Sequence, residues 1–242
     1  MSGHSKWATT KHKKAIVDAK RGKLFTKLAK LITIAARDGK SGDVSMNPSL
    51  RMAVDNAKAS SLPKDNIERA IKKGTGEGGG AAIEEVTYEA YAPNGVPLLI
   101  QCLTDNRNRT LGEIKALLNK YAGSLASPNS VSYQFKKTGQ IIIDEAKNTI
   151  AGDEMEMAII DSGALDFEKD DGLYIVTCNF SDLHAVAIAL SEAGVVIQSA
   201  EPVQVATTPM DLPEEKVDQV MNLVEKIEDL DDVSDVFTNL NL

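Results

Sequence analysis

The spacing of apolar side chains is helical up to about residue 80 and alternates between strand and helix periods after it. Leu24, Leu28, Leu31, Ile32 and Ala35 share one face of a helix that starts near Lys20, and Lys20, Lys23, Lys27 and Lys30 line another. Asp38-Gly39 stops it, with Gly39 expected at the C′ position. After a polar loop over 39–46, Asn47-Pro48 gives an N-cap and a first-turn proline. Leu50, Ala53, Val54 and Ala57 then form the stripe of a second helix. Ser60-Ser61-Leu62-Pro63 opens a third, with Ile67, Ala70 and Ile71 inside, Glu68 placed to pair with Lys72, and Gly74 at its end. Residues 4–20 are polar and cationic with little period and read as an arm leading into the first helix.

After residue 80 the period becomes two. Val86, Tyr88 and Ala90 alternate with Thr87, Glu89 and Tyr91, Pro93-Asn94-Gly95 marks a hairpin, and Val96–Thr104 is a second strand. A helix follows through Tyr121, with Thr110 and Glu113 spaced as a capping box, and Val131–Phe135 is expected to continue the sheet. Residues 134–200 read as β-α-β-β-α-β, with strands at 140–144, 164–167, 173–179 and 195–199. Residues 201–242 add a strand at 203–207, a helix with Val217, Val220, Met221, Val224 and Ile227 inside, and a last strand at 233–238. Neither 79–133 nor 201–242 makes a complete layered unit alone. The expected plan is therefore α+β in three domains: a basic helical domain with a glycine-rich linker over 1–78, a discontinuous α/β domain from 79–133 and 201–242, and an inserted domain over 134–200.

Charge sharpens this division. Residues 1–73 hold seventeen Lys and Arg against six Asp and Glu, while the chain as a whole is at −8. The first forty residues hold eleven cations and only Asp18 and Asp38 as anions, and the one tryptophan, Trp7, lies among them. Clustered Lys and Arg suit a phosphate backbone, and an indole face can stack on a base. The candidate nucleic-acid contacts are His4, Lys6, Trp7, Lys11, His12, Lys13, Lys14, Lys20, Arg21, Lys23, Lys27 and Lys30. A plain solvated helix face competes with this reading of the lysine row. The row lacks the interleaved glutamates that such a face normally carries. Arg107 and Arg109, the only arginines after Arg69, either form an anion site at a helix start or pair with local carboxylates.

Other chemistry is not indicated. Cys102 and Cys178 lie far apart in apolar runs, so buried free thiols are expected, with neither a disulfide framework nor a zinc site. Gly74, Gly76 and Gly79 fit GxGxxG only formally, because they follow a helix and precede a strand. Ile34 stands where a phosphate-binding loop would need its first glycine. No HExxH or GxSxG occurs, and His184 beside Asp182 reads as a surface histidine near a cap. No enzyme, cofactor or metal is expected, and no apolar run is long enough to span a membrane.

Four stretches carry a family resemblance: Gly-His-Ser-Lys-Trp at 3–7, Lys-Arg-Gly-Lys-Leu-Phe-Thr-Lys-Leu at 20–28, Leu-Pro-Lys-Asp-Asn-Ile-Glu-Arg-Ala-Ile at 62–71 and Leu-Thr-Asp-Asn-Arg-Asn-Arg-Thr at 103–110. With Leu-Asp-Asp-Val-Ser-Asp-Val at 230–236 they resemble the YebC/PmpR family, which also contains mitochondrial translational activators of cytochrome oxidase. The resemblance implies a helical domain followed by two ferredoxin-like α/β domains, one inserted in the other, in a bacterial cytoplasmic protein. It implies a DNA-binding regulator of transcription or, alternatively, a ribosome-associated factor that relieves stalling at sequences such as proline runs. Clustered lysines bind either polymer, because phosphate contacts position without specifying. The 39–46 loop is longer than a helix-turn-helix turn, and Trp7 in a basic arm suits irregular RNA. A monomer is favoured.

Overall fold

The computed structural model describes residues 18–77 and 82–241, with side chains from residue 22 onward. Three helices come first: α1 (Asp18–Asp38), α2 (Pro48–Ala59) and α3 (Lys64–Gly74). Their core is small and aliphatic, formed by Leu28, Ile32, Ala36, Leu50, Val54, Ala57, Leu62, Ile67 and Ala70. Asn47 caps α2 as its sequence signature predicts, its Oδ1 accepting the Leu50 N–H at 3.0 Å. The helix stops differ from expectation. Lys40, not Gly39, takes the left-handed conformation (φ 49°) that ends α1, and Gly76 (φ 90°) ends α3. Gly74 remains inside α3 because a Cβ there would sit 2.4 Å from the Thr33 carbonyl oxygen of α1. It is a close-approach glycine rather than a stop.

The first sheet has strand order β3-β1-β2-β8, built from β1 (Glu84–Tyr91), β2 (Pro97–Thr104), β3 (Ser124–Leu125) and β8 (Val233–Thr238). Asn94 and Gly95 both have positive φ, as the hairpin between β1 and β2 requires. Two helices, α4 (Arg107–Lys120) and α7 (Glu214–Glu228), cover one face through Ile114, Leu118, Val220, Leu223, Val224 and Ile227. They pack on Leu98, Ile100 and Cys102 of β2, while Leu99 and Leu103 point to the opposite face, so β2 is buried on both sides. Asn106, not Thr110, caps α4, and Thr110 is fully buried within the helix.

Between β3 and α7 the chain builds a second sheet, with order β5-β6-β4-β7 and every pairing antiparallel. Its strands are β4 (Phe135–Asp144), β5 (Asp166–Asp170), β6 (Leu173–Asn179) and β7 (Ser199–Ala206), with α5 (Asp153–Asp161) and α6 (Leu183–Glu192) between them. This is the β-α-β-β-α-β order of a ferredoxin-like unit. β4 is longer than the periodicity suggests and takes up Phe135, which was expected in the first sheet. Residues 201–206, expected with the returning segment, are the last six residues of β7. Pro202 lies mid-strand without harm because β7 is an edge strand, where a missing N–H need not face a neighbour.

Glu89 of β1 gathers three backbone donors of the connection from β3 to β4. The half-buried Glu89 carboxylate accepts the backbone N–H groups of Asn129 (2.7 Å), Val131 (2.5 Å) and Ser132 (3.0 Å). Burial pushes its pKa up, but these donors outweigh that and hold it below the usual carboxylate value. Glu89→Ala leaves three donors without their acceptor. It is expected to cost roughly 1–3 kcal/mol, read as a lower urea midpoint with an unchanged slope.

Candidate nucleic-acid interface

The helical domain is seated on both sheets, and its seat uses residues expected to face nucleic acid. Leu31 and Ile34 of α1 pack on Leu103 of β2 and on Ile83, just before β1. Beside that contact the lysine row meets acids from the end of the chain. Lys23 Nζ reaches the Asp229 carbonyl oxygen (2.5 Å) and its carboxylate (3.4 Å), and Lys27 Nζ pairs with Asp235 at 2.9 Å. Lys30 Nζ donates to Asp232 Oδ1 (2.9 Å) and to the carbonyls of Leu103 (3.0 Å) and Asp231 (2.9 Å). The partners lie more than two hundred positions away in sequence, which explains why the row carries no interleaved acids of its own. Lys27 and Lys30 are less than one-fifth exposed.

Asp232 is the centre of this contact. Its side chain is 7 % exposed, and four groups from three elements surround it. Besides Lys30 they are Arg109 (2.5 Å), the Thr104 hydroxyl (3.0 Å) and the Thr110 hydroxyl (2.9 Å). Burial raises its pKa, but hydrogen bonds from Arg109, Lys30 and Thr110 overcome this and hold the carboxyl far below the usual range. Burial, with the Asp232 charge nearby, pushes the Cys102 thiol up to about 12, and Cys178 rises to about 11, so both are inert free thiols.

Arg107 and Arg109 both meet carboxylates. Arg107 pairs with Glu84 at 2.5 Å, and Arg109 bridges Asp105 (2.9 Å) and Asp232. The pairing with carboxylates anticipated as the competing reading is what the side chains do. His4, Lys6, Trp7, Lys11, His12, Lys13 and Lys14 lie outside the described residues. Lys20 and Arg21 fall in the first turn of α1, without described side chains.

A different cationic surface is open. On α3, Arg69, Lys72 and Lys73 are exposed and have no ion pair among the described residues. Glu68 pairs with Lys64 (3.6 Å) rather than with Lys72. The signal for this face was present in the sequence: Ile67, Ala70 and Ile71 point inward, which leaves residues 69, 72 and 73 outward. Between α1 and α3 runs a groove of about 530 Å³ with Phe25, Thr26, Asn66, Arg69 and Lys73 along it. On the other side, α2 packs against the second sheet. Met52 joins its core, and the Asn56 amide exchanges two hydrogen bonds with the Ala200 backbone on the outer edge of β7 (2.8 and 3.0 Å). His184 lines a cleft of about 520 Å³ beside this contact. Among the described residues no His, Cys, Asp and Glu cluster suits a metal ion, and no helix is long and apolar enough to cross a membrane.

Comparison with known proteins covers nearly the whole chain. Residues 5–77 match the model of the TACO1/YebC protein N-terminal domain, and residues 83–240 that of the TACO1/YebC second and third domain. A probable transcriptional regulatory protein of Thermobifida fusca is 48 % identical over 243 residues, with 100 % of this chain and 96 % of that protein covered. One from Parafrankia sp. is 47 % identical with the same coverage. The crystal structure of a conserved hypothetical protein from Aquifex aeolicus superposes with a TM-score of 0.87 at 38 % identity, covering 93 % of this chain and 92 % of that one. A shared fold, matching models for all three domains and full-length relatives lead to one conclusion: the chain belongs to the TACO1/YebC family.

Proposed function

We propose that this protein is a non-enzymatic regulator that acts in the cytoplasm by binding nucleic acid, and that promoter DNA is its target. The observation that carries this is the exposed cationic face of α3, whereas Lys23, Lys27 and Lys30 of α1 are already paired with Asp229, Asp235 and Asp232. The cations of residues 1–21 continue the same charge in sequence. Support for the regulatory role comes from the relatives, which are named probable transcriptional regulatory proteins. Support for duplex DNA comes from the four residues, Ser60 to Pro63, that join α2 to the basic α3, a turn of the length a helix-turn-helix uses.

A ribosome-associated role on RNA is the second reading, favoured by the concave groove beside α3, which suits a protruding base better than a duplex groove. Fluorescence anisotropy with genomic promoter duplexes, random duplexes and ribosomal RNA separates the two. The DNA reading expects promoter preference at physiological salt. If Arg69, Lys72 and Lys73 each neutralise one phosphate, log K falls against log[salt] with a slope of about −3. Equal binding to random DNA, together with co-sedimentation with ribosomes, would replace it with the RNA reading.

A further inference from the structure

The outer face of α5 differs from that of α7. Every exposed position of α7, from Glu214 to Lys226, is charged or an amide, as suits a helix face turned to water. On α5, Met155 and Ile159 point into the core, yet Met157 and Ile160 on the far side are 61 % and 63 % exposed. With Asp153 they follow one line along the helix, at spacings of four and three residues. Leu165, just past the end of α5, is 59 % exposed. Its N–H donates to the Thr177 carbonyl of β6 at 2.8 Å, which fixes it beside the edge strand β5. Carboxylates border this apolar stripe. Asp153, Glu154 and Asp161 are exposed, and none has a cationic partner among the described residues. From 148 to 168 the chain holds six Asp and Glu and no Lys or Arg. The lysines on either side are taken: Lys147 pairs with Asp144 (3.1 Å) and Lys169 with Glu145 (2.8 Å).

We propose that the stripe of Met157, Ile160 and Leu165 docks an amphipathic helix of a partner protein, one that carries Lys or Arg beside its own apolar face. Large apolar side chains grouped on one element and rimmed by polar ones mark interaction sites, whereas single exposed ones do not. The spacing of Met157 and Ile160 is that by which two helix faces mesh. The unpaired carboxylates set the sign of the partner, because an acidic helix would be repelled along its length. The stripe also stands apart from the cationic surface. β5 is the edge of the second sheet opposite β7, and α2 of the helical domain occupies the β7 edge through Asn56. A basic protein at α5 and a polyanion at α3 therefore do not compete for the same residues.

The probe is a labelled synthetic helix of leucine and lysine, with the leucines on one face. Fluorescence anisotropy on the full chain at physiological salt is expected to show binding, and the same helix with glutamate for lysine none. Met157→Ser with Ile160→Ser should weaken binding roughly ten-fold, the usual effect of truncating the apolar centre of an interface. Asp153→Asn with Asp161→Asn should weaken it and flatten its dependence on salt. Glu214→Gln with Asp218→Asn removes the same charge from α7 and should do neither, which separates the stripe from the general acidity of the protein. All these positions are exposed, so the urea midpoint should hardly move. No binding of the lysine helix, equal losses from the α5 and α7 charge pairs, or full binding in Met157→Ser with Ile160→Ser overturns the proposal. So does a different occupant. A dimer in sedimentation equilibrium that the same double variant dissolves would assign the stripe to a second copy of this chain. Tighter oligonucleotide binding in that variant would assign it to the basic residues 1–17. Oligonucleotide affinity is expected to stay unchanged, so this proposal and the proposed function fail separately.

Discussion

Asp232→Ala is expected to cost about 3–5 kcal/mol of stability, the usual penalty for removing one member of a buried charge cluster. The carboxylate is 7 % exposed and receives Lys30, Arg109, Thr104 and Thr110. Without it the Lys30 ammonium stays in a half-buried site with only carbonyl partners, and the two threonine hydroxyls lose their shared acceptor. The loss should appear as a fall in the urea midpoint. It should also depend on pH in a defined direction. The folded-state pKa of Asp232 is depressed, so its contribution is complete above the unfolded value near 4 and is lost as pH falls below it. The stability gap between wild type and Asp232→Asn should therefore be wide at pH 7 and should narrow progressively below about pH 4. Using the difference between the two proteins removes the carboxylates they share. A gap independent of pH would mean that the folded protein does not hold Asp232 charged.

Reversing one charge of the α1 seat should be nearly as damaging, and reversing both should restore part of the loss. Lys27→Glu sets a second carboxylate against Asp235 where each side chain is less than one-fifth exposed, and it is expected to cost about 3 kcal/mol. Asp235→Lys alone sets two ammonium groups together in the same place. The double variant recreates the pair with its ends exchanged and should recover about half of the summed loss, a coupling within the range for charges in contact. The oligonucleotide salt slope is expected not to change in the double variant, because the Lys27 ammonium is paired with Asp235 in the seat. A slope that drops by about one would place Lys27 on the nucleic-acid surface after all.

Most of the architecture was legible in the sequence because it is written in local periods. The three apolar stripes of the helical domain, the Asn47 cap and the Asn94-Gly95 turn depend on neighbours within a few residues. The misplaced features depend on distant ones. Strands expected at 195–199 and 203–207 are replaced by one, β7, which starts only at Ser199 and runs through Pro202, a proline that its place at a sheet edge makes acceptable. Gly39 and Gly74 read as helix stops, yet each is small because another segment presses on it: the Asn47 amide in one case and the Thr33 carbonyl in the other. The distribution of charge shows the same division. A lysine row without local acids reads as open, and its counter-charges lie more than two hundred positions ahead. The face that is open, on α3, is visible in its own 3.6-residue pattern once Glu68 is paired with Lys64.

The separation in sequence between Lys23, Lys27 and Lys30 and their acids sets an order in time. Chain synthesis at about 5–20 residues per second leaves roughly 10–40 s between the making of the lysines and the making of Asp229, Asp232 and Asp235. During that interval α1 exists without its neutralising partners, so its positive side is open to whatever anionic polymer is nearby. Completion of the last strand closes it. While those acids are still unmade, the cationic face of the growing chain is broader by Lys23, Lys27 and Lys30 than it is in the folded protein.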